Sequence, residues 1–373
     1  VREEESLNTD LTMTITSSND IVIVTTDNYF NPEIIKFNES GNILYEHAFS
    51  YPSGGGMYGL SLAADMDDNY YLSAELLGSC NLDLGLESII SSDYWVRFIA
   101  KFNSNDELIW INSDSSDLDA FERNNSLLFN PIDQSIFYLT TTSHTFTDVS
   151  FDFWGDNYPG PPDTSFLLAK FDLNGNLLWT FHEIDFELGN YGYYALNYLN
   201  NGNIVIALDG GHLLEIDTEN PEVLNEWSFP PYKFPNDIQI IESNQSINFY
   251  IGARYSLINV NDEGYSELFT PPFDSFQSGN LNVSNGNLVY TIDSNYFAID
   301  GEAYPILGTD IVILAFNFDC ENNLDGNLIN DCDGECGGNN FECEDVGCTD
   351  PIACNFNQDS IINDGSCIYA EED

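Results

Sequence analysis

The sequence predicts an all-β fold: a β-propeller of six blades, or seven if the later units conceal another, followed by a small, loop-rich module stapled by disulfides. Three observations predict it. First, a strand-turn-strand unit, Phe166-Leu-Leu-Ala-Lys-Phe-Asp-Leu-Asn-Gly-Asn-Leu-Leu-Trp179, recurs in variant form along the chain. Second, each copy follows further short runs of alternating or β-branched residues, so that a unit holds four strands. Third, the equivalent positions Lys36, Lys101, Lys170, Glu215, Asn259 and Asn317 are 65, 69, 45, 44 and 58 residues apart. Such lengths fit one four-stranded blade each, with the variation in loops. A sandwich would not repeat the same turn chemistry six times, and a parallel solenoid would need shorter rungs.

The first unit holds Leu11-Thr-Met-Thr-Ile-Thr16, the β-branched run Asp20-Ile-Val-Ile-Val-Thr25 and the pair Ile34 to Tyr45. The second has Gly59 to Asp65, Asn69 to Ser73, a loop carrying Cys80, and Phe98 to Trp110. The third runs from about Asn125 through Ser135-Ile-Phe-Tyr-Leu-Thr-Thr to the unit quoted above, whose Asn174-Gly175-Asn176 tolerates the positive φ of a hairpin turn. Between its strands lies the longest insertion, His144 to Asp163. The fourth has Asn203 to Leu208 and Leu213 to Asn220, ending on Trp227; the fifth has Ile238 to Ile241, Asn248 to Gly252 and Leu257 to Tyr265. The sixth, Asn280 to Val283, Asn287 to Ile292 and Asp310 to Phe318, lacks a fourth strand, which residues 1–10 could supply by closing the blade. Trp110, Trp179, Trp227 and Tyr45 recur at one repeat position, which reads as packing between blades.

Composition bounds the function. The chain has 373 residues, 43% of them apolar and 14% aromatic, enough for a large core. Its 62 acids against 8 Lys plus Arg give a net charge of −54. Nucleic acid and anionic membrane surfaces are therefore excluded as partners, and cations are favoured. Surface spacing, screening by salt or bound divalent ions can make that charge tolerable, and all three point outside the cell. No stretch approaches the ~20 apolar residues of a spanning helix, so no membrane insertion is expected. No basic-apolar signal segment opens the chain, and Val1 reads as a mature or excised start.

The texture changes at Asp319, dividing the chain into a propeller over 1–318 and an acidic tail over 319–373. One cysteine lies at Cys80; Cys320, Cys332, Cys336, Cys343, Cys348, Cys354 and Cys367 crowd the tail. That density suits an oxidised, stapled module. Zinc knuckles would need paired CxxC spacings, and Cys332-x3-Cys336 and Cys348-x5-Cys354 do not form them. Cys80 either completes the even count by pinning the tail to the second blade or is a buried free thiol. Glu321-x-Asn323-x-Asp325-Gly326 has the alternating oxygen ligands that open a calcium loop, although its twelfth position is Cys332. Two readings stand for these carboxylates: calcium as a cofactor, or simple solvation.

Asp65-Met-Asp-Asp-Asn-Tyr-Tyr-Leu-Ser73, Phe98-Ile-Ala-Lys-Phe-Asn103 and Glu107-Leu-Ile-Trp110 resemble the bacterial β-propeller repeat family of secreted proteins. The first and third units match that pattern too, and Glu215, Asn259 and Asn317 depart from it. The resemblance spans about residues 11 to 318 and implies a propeller outside the cytoplasm, with no single activity. Asp331-Cys-Asp-Gly-Glu-Cys-Gly-Gly338 resembles thrombospondin type 3 repeats, which implies calcium on Asp331, Asp333 and Glu335 as well as on Glu321, Asn323 and Asp325. Gly347-Cys-Thr-Asp-Pro-Ile-Ala-Cys-Asn-Phe-Asn357 with Asn363-Asp-Gly-Ser-Cys367 resembles a Cys-rich repeat of surface proteins exported by the type IX route. In such proteins a sorting domain often follows, so the chain is read as cut after Asp373 or before further repeats.

No GxGxxG before a helix, no phosphate-binding loop and no HExxH is present. His47, His144, His182 and His212 sit in unrelated repeat contexts and are read as surface or strand residues rather than triad members. Trp154 and Tyr158, on the proline-stiffened insertion, are the candidate binding residues, because rigid aromatic faces stack on sugar rings. The alternative is that Phe151, Phe153 and Trp154 cover the blade edge. The expectation is thus a non-catalytic, secreted or cell-surface protein for binding, adhesion or structural assembly, its partner a protein or glycan, with self-assembly through the tail. The alternatives are a polysaccharide-active enzyme using channel carboxylates and a calcium-dependent spacer in a longer stalk.

Overall fold

A computed structural model describes most of the chain between residues 11 and 317. The connections 27–31, 50–55, 78–79, 84–87, 92–95, 116–120, 143–150, 159–164, 184–193, 243–246, 254–255, 270–278, 285–286 and 300–301 and residue 232 lie outside the described residues. Beyond 317 only 346–347, 353 and 362–363 are described. Two compact units are present, one of Val1–Asn282 with Tyr290–Ile313, the other of Val283–Val289 with Leu314–Asp373.

The first unit is a β-propeller built from antiparallel sheets, each formed by strands in near-sequential order. Blade one is β1 (Leu11–Ile15), β2 (Ile21–Thr26), β3 (Pro32–Phe37) and β4 (Ile43–Ala48). Blade two joins β5 (Gly56–Ala64), β6 (Tyr70–Leu77), β9 (Val96–Phe102) and β10 (Leu108–Ser115), with a separate hairpin of β7 (Cys80–Asp83) and β8 (Ser88–Ser91) inserted at its middle connection. Blade three joins β11 (Phe121–Asn130), β12 (Ser135–Thr142), β15 (Phe166–Asp172) and β16 (Leu177–Glu183). Its own inserted hairpin is β13 (Phe151–Phe153) and β14 (Asp156–Tyr158). Blade four is β17 (Tyr194–Tyr198), β18 (Ile204–Leu208), β19 (His212–Ile216) and β20 (Val223–Ser228); blade five is β21 (Pro235–Glu242), β22 (Ile247–Ala253), β23 (Ser256–Asn261) and β24 (Gly264–Phe269).

The sixth sheet has three strands among the described residues: β25 (Gly279–Ser284), β26 (Asn287–Ile299) and β27 (Glu302–Asn317). Its last two strands are longer than the sequence pattern gives, β26 reaching Ile299 and β27 starting at Glu302. The expected closing strand, residues 1–10, lies outside the described residues. In the second unit β28 (Val346–Gly347) pairs in parallel with β29 (Ile362–Asn363).

Alternation explains the packing. In β6, Tyr70, Leu72, Ala74 and Leu76 face blade one, while Tyr71, Ser73 and Glu75 face blade three. Four apolar clusters fill the seams between successive blades from one to five. Blade one buries Val22, Val24 and Ile34 against blade two; on its other face Met13, Ile15 and Ile43 are each more than half exposed.

Polar side chains lock these seams, and the recurring tryptophans hold this role as expected. Trp110 donates its indole N–H to the Leu173 carbonyl of the next blade at 3.1 Å, and Trp179 to that of Thr218 at 3.1 Å. Trp227 donates to the Asp262 carboxylate at 2.9 Å. Gly175, at φ +83°, sits so close that a Cβ there would lie 2.9 Å from the Trp110 ring, so both the turn and its neighbour require glycine. Beside each tryptophan runs a lysine. Lys36 reaches the Ser104 carbonyl at 3.1 Å and Asp106 at 3.2 Å; Lys101 reaches the Leu173 carbonyl at 3.3 Å; Lys170 reaches the Thr218 carbonyl at 3.0 Å and Asp133 at 2.7 Å. In blade four Glu215 takes that place and is held by the side-chain amides of Asn203 at 2.5 Å and Asn225 at 2.7 Å.

On the inner strands, Asn197 donates to the Ile238 carbonyl and Asp237 accepts from the Leu281 N–H at 2.9 Å. Burial pushes the Asp237 carboxyl up to about 6 against the pull of its two backbone N–H donors.

Two outcomes are expected. Lys170→Ala leaves Asp133 without its ammonium and should cost roughly 3–5 kcal/mol in urea unfolding. Lys233→Ala, which breaks the more exposed pair with Glu267, should cost under about 1 kcal/mol. Asp237 contributes stability that is complete below the unfolded carboxyl pKa near 4 and is lost as pH rises through about 6. The stability of the native chain relative to Asp237→Asn should therefore fall by roughly 2–3 kcal/mol between pH 4 and pH 7, and a difference constant with pH would refute the assignment.

Candidate functional site

The blade connections divide sharply by end. At one end, the described connections between first and second or third and fourth strands of blades one to five are short turns, such as Asp65 to Asn69, Asn103 to Glu107, Asp172 to Asn176 and Leu199 to Asn203. In the first three of these an Asp or Asn side chain accepts backbone N–H groups two and four residues on, as Asp172 does from Asn174 and Asn176. At the other end run the long connections, 78–95 in blade two and 143–165 in blade three, each carrying its own hairpin.

Beneath the blade-three hairpin lies a row of charge. Glu75 on β6, Arg97 on β9 and Asp114 on β10 are register partners across three strands of blade two. Arg97 binds the Asp114 carboxylate at 2.5 Å and is 2% exposed; Glu75 is 1% exposed. The same row in blade three is Thr141, Phe166 and Glu183, and the residue four places before the repeat's Lys36, Glu215 or Asn259 is Pro32, Gly211 or Tyr255. None of these other units places a cation here, and the buried Glu75 and Arg97 are expensive for a sheet to carry.

From blade three, Tyr138 faces this row with its hydroxyl fully buried. Burial and the nearby Glu75 hold the phenol well above its ordinary pKa, opposed by Arg97, so it stays neutral and can donate a hydrogen bond. Phe153 of the hairpin lies under the Arg97 guanidinium, 5.6 Å from ring centroid to carbon, and packs on Tyr138. Trp154 and Gly155 form the hairpin tip at φ +51° and +91°. Trp154 is half-buried, its ring edge-on to Tyr138 at 5.9 Å and to Phe171 at 5.1 Å. Tyr158 bonds Thr180 at 2.5 Å and packs edge-on against His182 at 5.1 Å; Thr180 also donates to Asp156. His182 in turn shares a hydrogen bond of 2.7 Å with Ser165, which is 1% exposed. Burial lowers His182 to about 4, so near neutral pH the imidazole is uncharged.

The structure thus brings Trp154 and Tyr158 onto one hairpin over blade three, with their rings turned into the blade. It adds Glu75, Arg97, Asp114, Tyr138, Ser165 and His182, which sequence reading passed over. One signal for them existed: Arg97 is one of only eight basic residues, at a repeat position where the other units are uncharged. Cys80 lies on β7, opposite Ser91. The calcium candidates Glu321, Asn323, Asp325, Asp331, Asp333 and Glu335, and the seven tail cysteines, lie outside the described residues. Among the described residues no group of three or more His, Cys, Asp or Glu side chains is arranged to hold a metal ion.

No family model matches the chain and no curated protein does. Among solved structures it is similar to virginiamycin B lyase from Staphylococcus aureus as a selenomethionine form, at 10% identity over 76% of this chain and 96% of that one, TM-score 0.38. A catalytically inactive variant of that lyase with quinupristin gives 10%, 76%, 96% and 0.39. BamB from Moraxella catarrhalis gives 12% identity over 74% and 68%, TM-score 0.37. These proteins accompany a propeller architecture that the blade topology here already establishes.

The expectation that this chain is not an enzyme is corrected at this point. The similar structures named above include a lyase, and the lack of a local sequence motif does not exclude an activity, because groups that act together can come from distant stretches of a chain.

The charged row makes a clean prediction. Arg97→Met should cost roughly 3–5 kcal/mol in urea unfolding, because Asp114 loses its ion-pair partner and Glu75 stays buried beside an apolar side chain. The triple variant Glu75→Leu, Arg97→Met, Asp114→Leu should recover most of that loss, as blade three carries Thr141 and Phe166 in place of Glu75 and Arg97. A triple variant as unstable as the single one would make the row part of the scaffold.

Proposed function

We propose that this is an extracellular or cell-surface binding protein that takes a glycan on the end of blades two and three, around the β13 to β14 hairpin. The observation that supports this reading most is the collection of both hairpin insertions and one repeat-breaking charged row at the same end, while the opposite end keeps minimal turns. Loops on a rigid scaffold are where binding residues gather. Paired carboxylates around a guanidinium, with a phenol donor and several aromatic rings, offer the bidentate hydrogen bonds and flat apolar faces that sugar hydroxyls and ring C–H groups use. With a net charge of −54 the polymer would be neutral or basic rather than polyanionic. The acidic tail fits a stapled, calcium-dependent module that joins the propeller to a surface assembly, which chelation would destabilise.

Glu75 and Asp114 favour a second reading, in which the same row acts on the polymer. Release of reducing ends or of an unsaturated product would distinguish turnover from binding.

Binding of the purified chain to a panel of immobilised neutral and amino-sugar polymers tests the proposal. The exposed hairpin variant Asn157→Ala should lower affinity severalfold. Glu39→Ala with Glu219→Ala, exposed turns of the opposite end, should leave it unchanged. Equal loss in both variants, or binding to a protein surface and to no polymer, would overturn the glycan reading.

A further inference from the structure

We propose that the β13 to β14 hairpin is a lid, and that opening it uncovers the Glu75, Arg97 and Asp114 row as a binding site while the blades stay folded. The hairpin is a two-stranded sheet of its own, with three residues in each strand and no ladder to any blade sheet. A two-stranded ribbon of that size has little stability by itself. What holds it down is side-chain contact: Phe153 on Arg97 and Tyr138, Trp154 on Tyr138 and Phe171, and Tyr158 with Asp156 on Thr180.

The ladders of blade three do not depend on those contacts. β12 pairs with β15 from Ser135 to Thr141, and β15 with β16 from Phe166 to Phe171, in unbroken registers apart from one bulge near Lys170. Lifting the hairpin therefore breaks no blade hydrogen bond.

The energetics favour a site over a pillar. Closed, the lid keeps Phe153 against the buried Arg97 guanidinium and the Tyr138 ring, so a cation and a phenol stay out of water at a desolvation cost. Open, water or the hydroxyls of a ligand can bond those groups, and Phe153, Trp154 and Tyr158 travel with the lid as aromatic faces for the same ligand. Local opening of this kind needs far less free energy than global unfolding. The lid's purpose rests on the binding reading above; its existence does not, and the test uses no glycan.

Phenylglyoxal modifies a guanidinium only when solvent reaches it, and mass spectrometry of the peptide containing Arg97 reads its rate. In the native full chain, Arg97 should be labelled at a rate that stays within about twofold between 0 and 2 M urea. Over the same range, hydrogen exchange at Leu139 and Leu168 should accelerate roughly a hundredfold or more, because it needs unfolding of the blade. Tyr158→Phe, which removes the hydroxyl bridge to Thr180 and keeps the ring, should raise the Arg97 rate severalfold without altering those amides. Arg97 labelling that rises with urea in step with the core amides, or that Tyr158→Phe leaves unchanged, would overturn the lid. Labelling as described with no polymer bound would remove the glycan reading and leave the lid standing.

Discussion

The first three seams between successive blades each depend on a side chain that crosses from a third strand to a turn of the next blade. In all three it is a lysine, Lys36, Lys101 or Lys170, and a carbonyl or carboxylate of the neighbour receives it. The consequence for so acidic a chain is large. Three of these cations and Arg97 are buried or nearly so, which leaves at most four of the eight bases for the surface. Positive charge is placed where sheets must meet. The ammonium groups of Lys101 and Lys170 also lie over the rings of Tyr71 and Phe137.

Where the lysine is replaced the crossing changes chemistry without changing geometry. Glu215 turns to amides of its own blade, and the reach across the seam passes to Trp227 and Asp262. Asn259 likewise stays within its blade, on Asn248. The propeller therefore tolerates departures from its repeat lysine.

The Arg97 row is a departure of another kind. It adds charge where the repeat has none, and it lies under the one insertion that contributes Phe153 and Tyr158 to a neighbouring surface. The hairpin aromatics point into the blade, so the flat faces expected of Trp154 and Tyr158 are spent on Tyr138, Phe171 and His182 while the hairpin is down. Burial explains that choice: rings on a short ribbon gain more from a close-packed blade than from solvent.

Repeat length, strand order and turn chemistry were legible in the residues because they are local. Period-two alternation marks strands, and Asp172 with Gly175 or Asn103 with Asp106 marks a turn, whatever lies beyond. The role of Trp110 and Trp179 followed from their recurrence alone. By contrast, Glu75, Arg97, Asp114, Tyr138 and Phe153 come from five separate stretches of two blades. Only folding decides that their side chains share one face of one seam, since alternation says which side a residue takes but not what stands opposite.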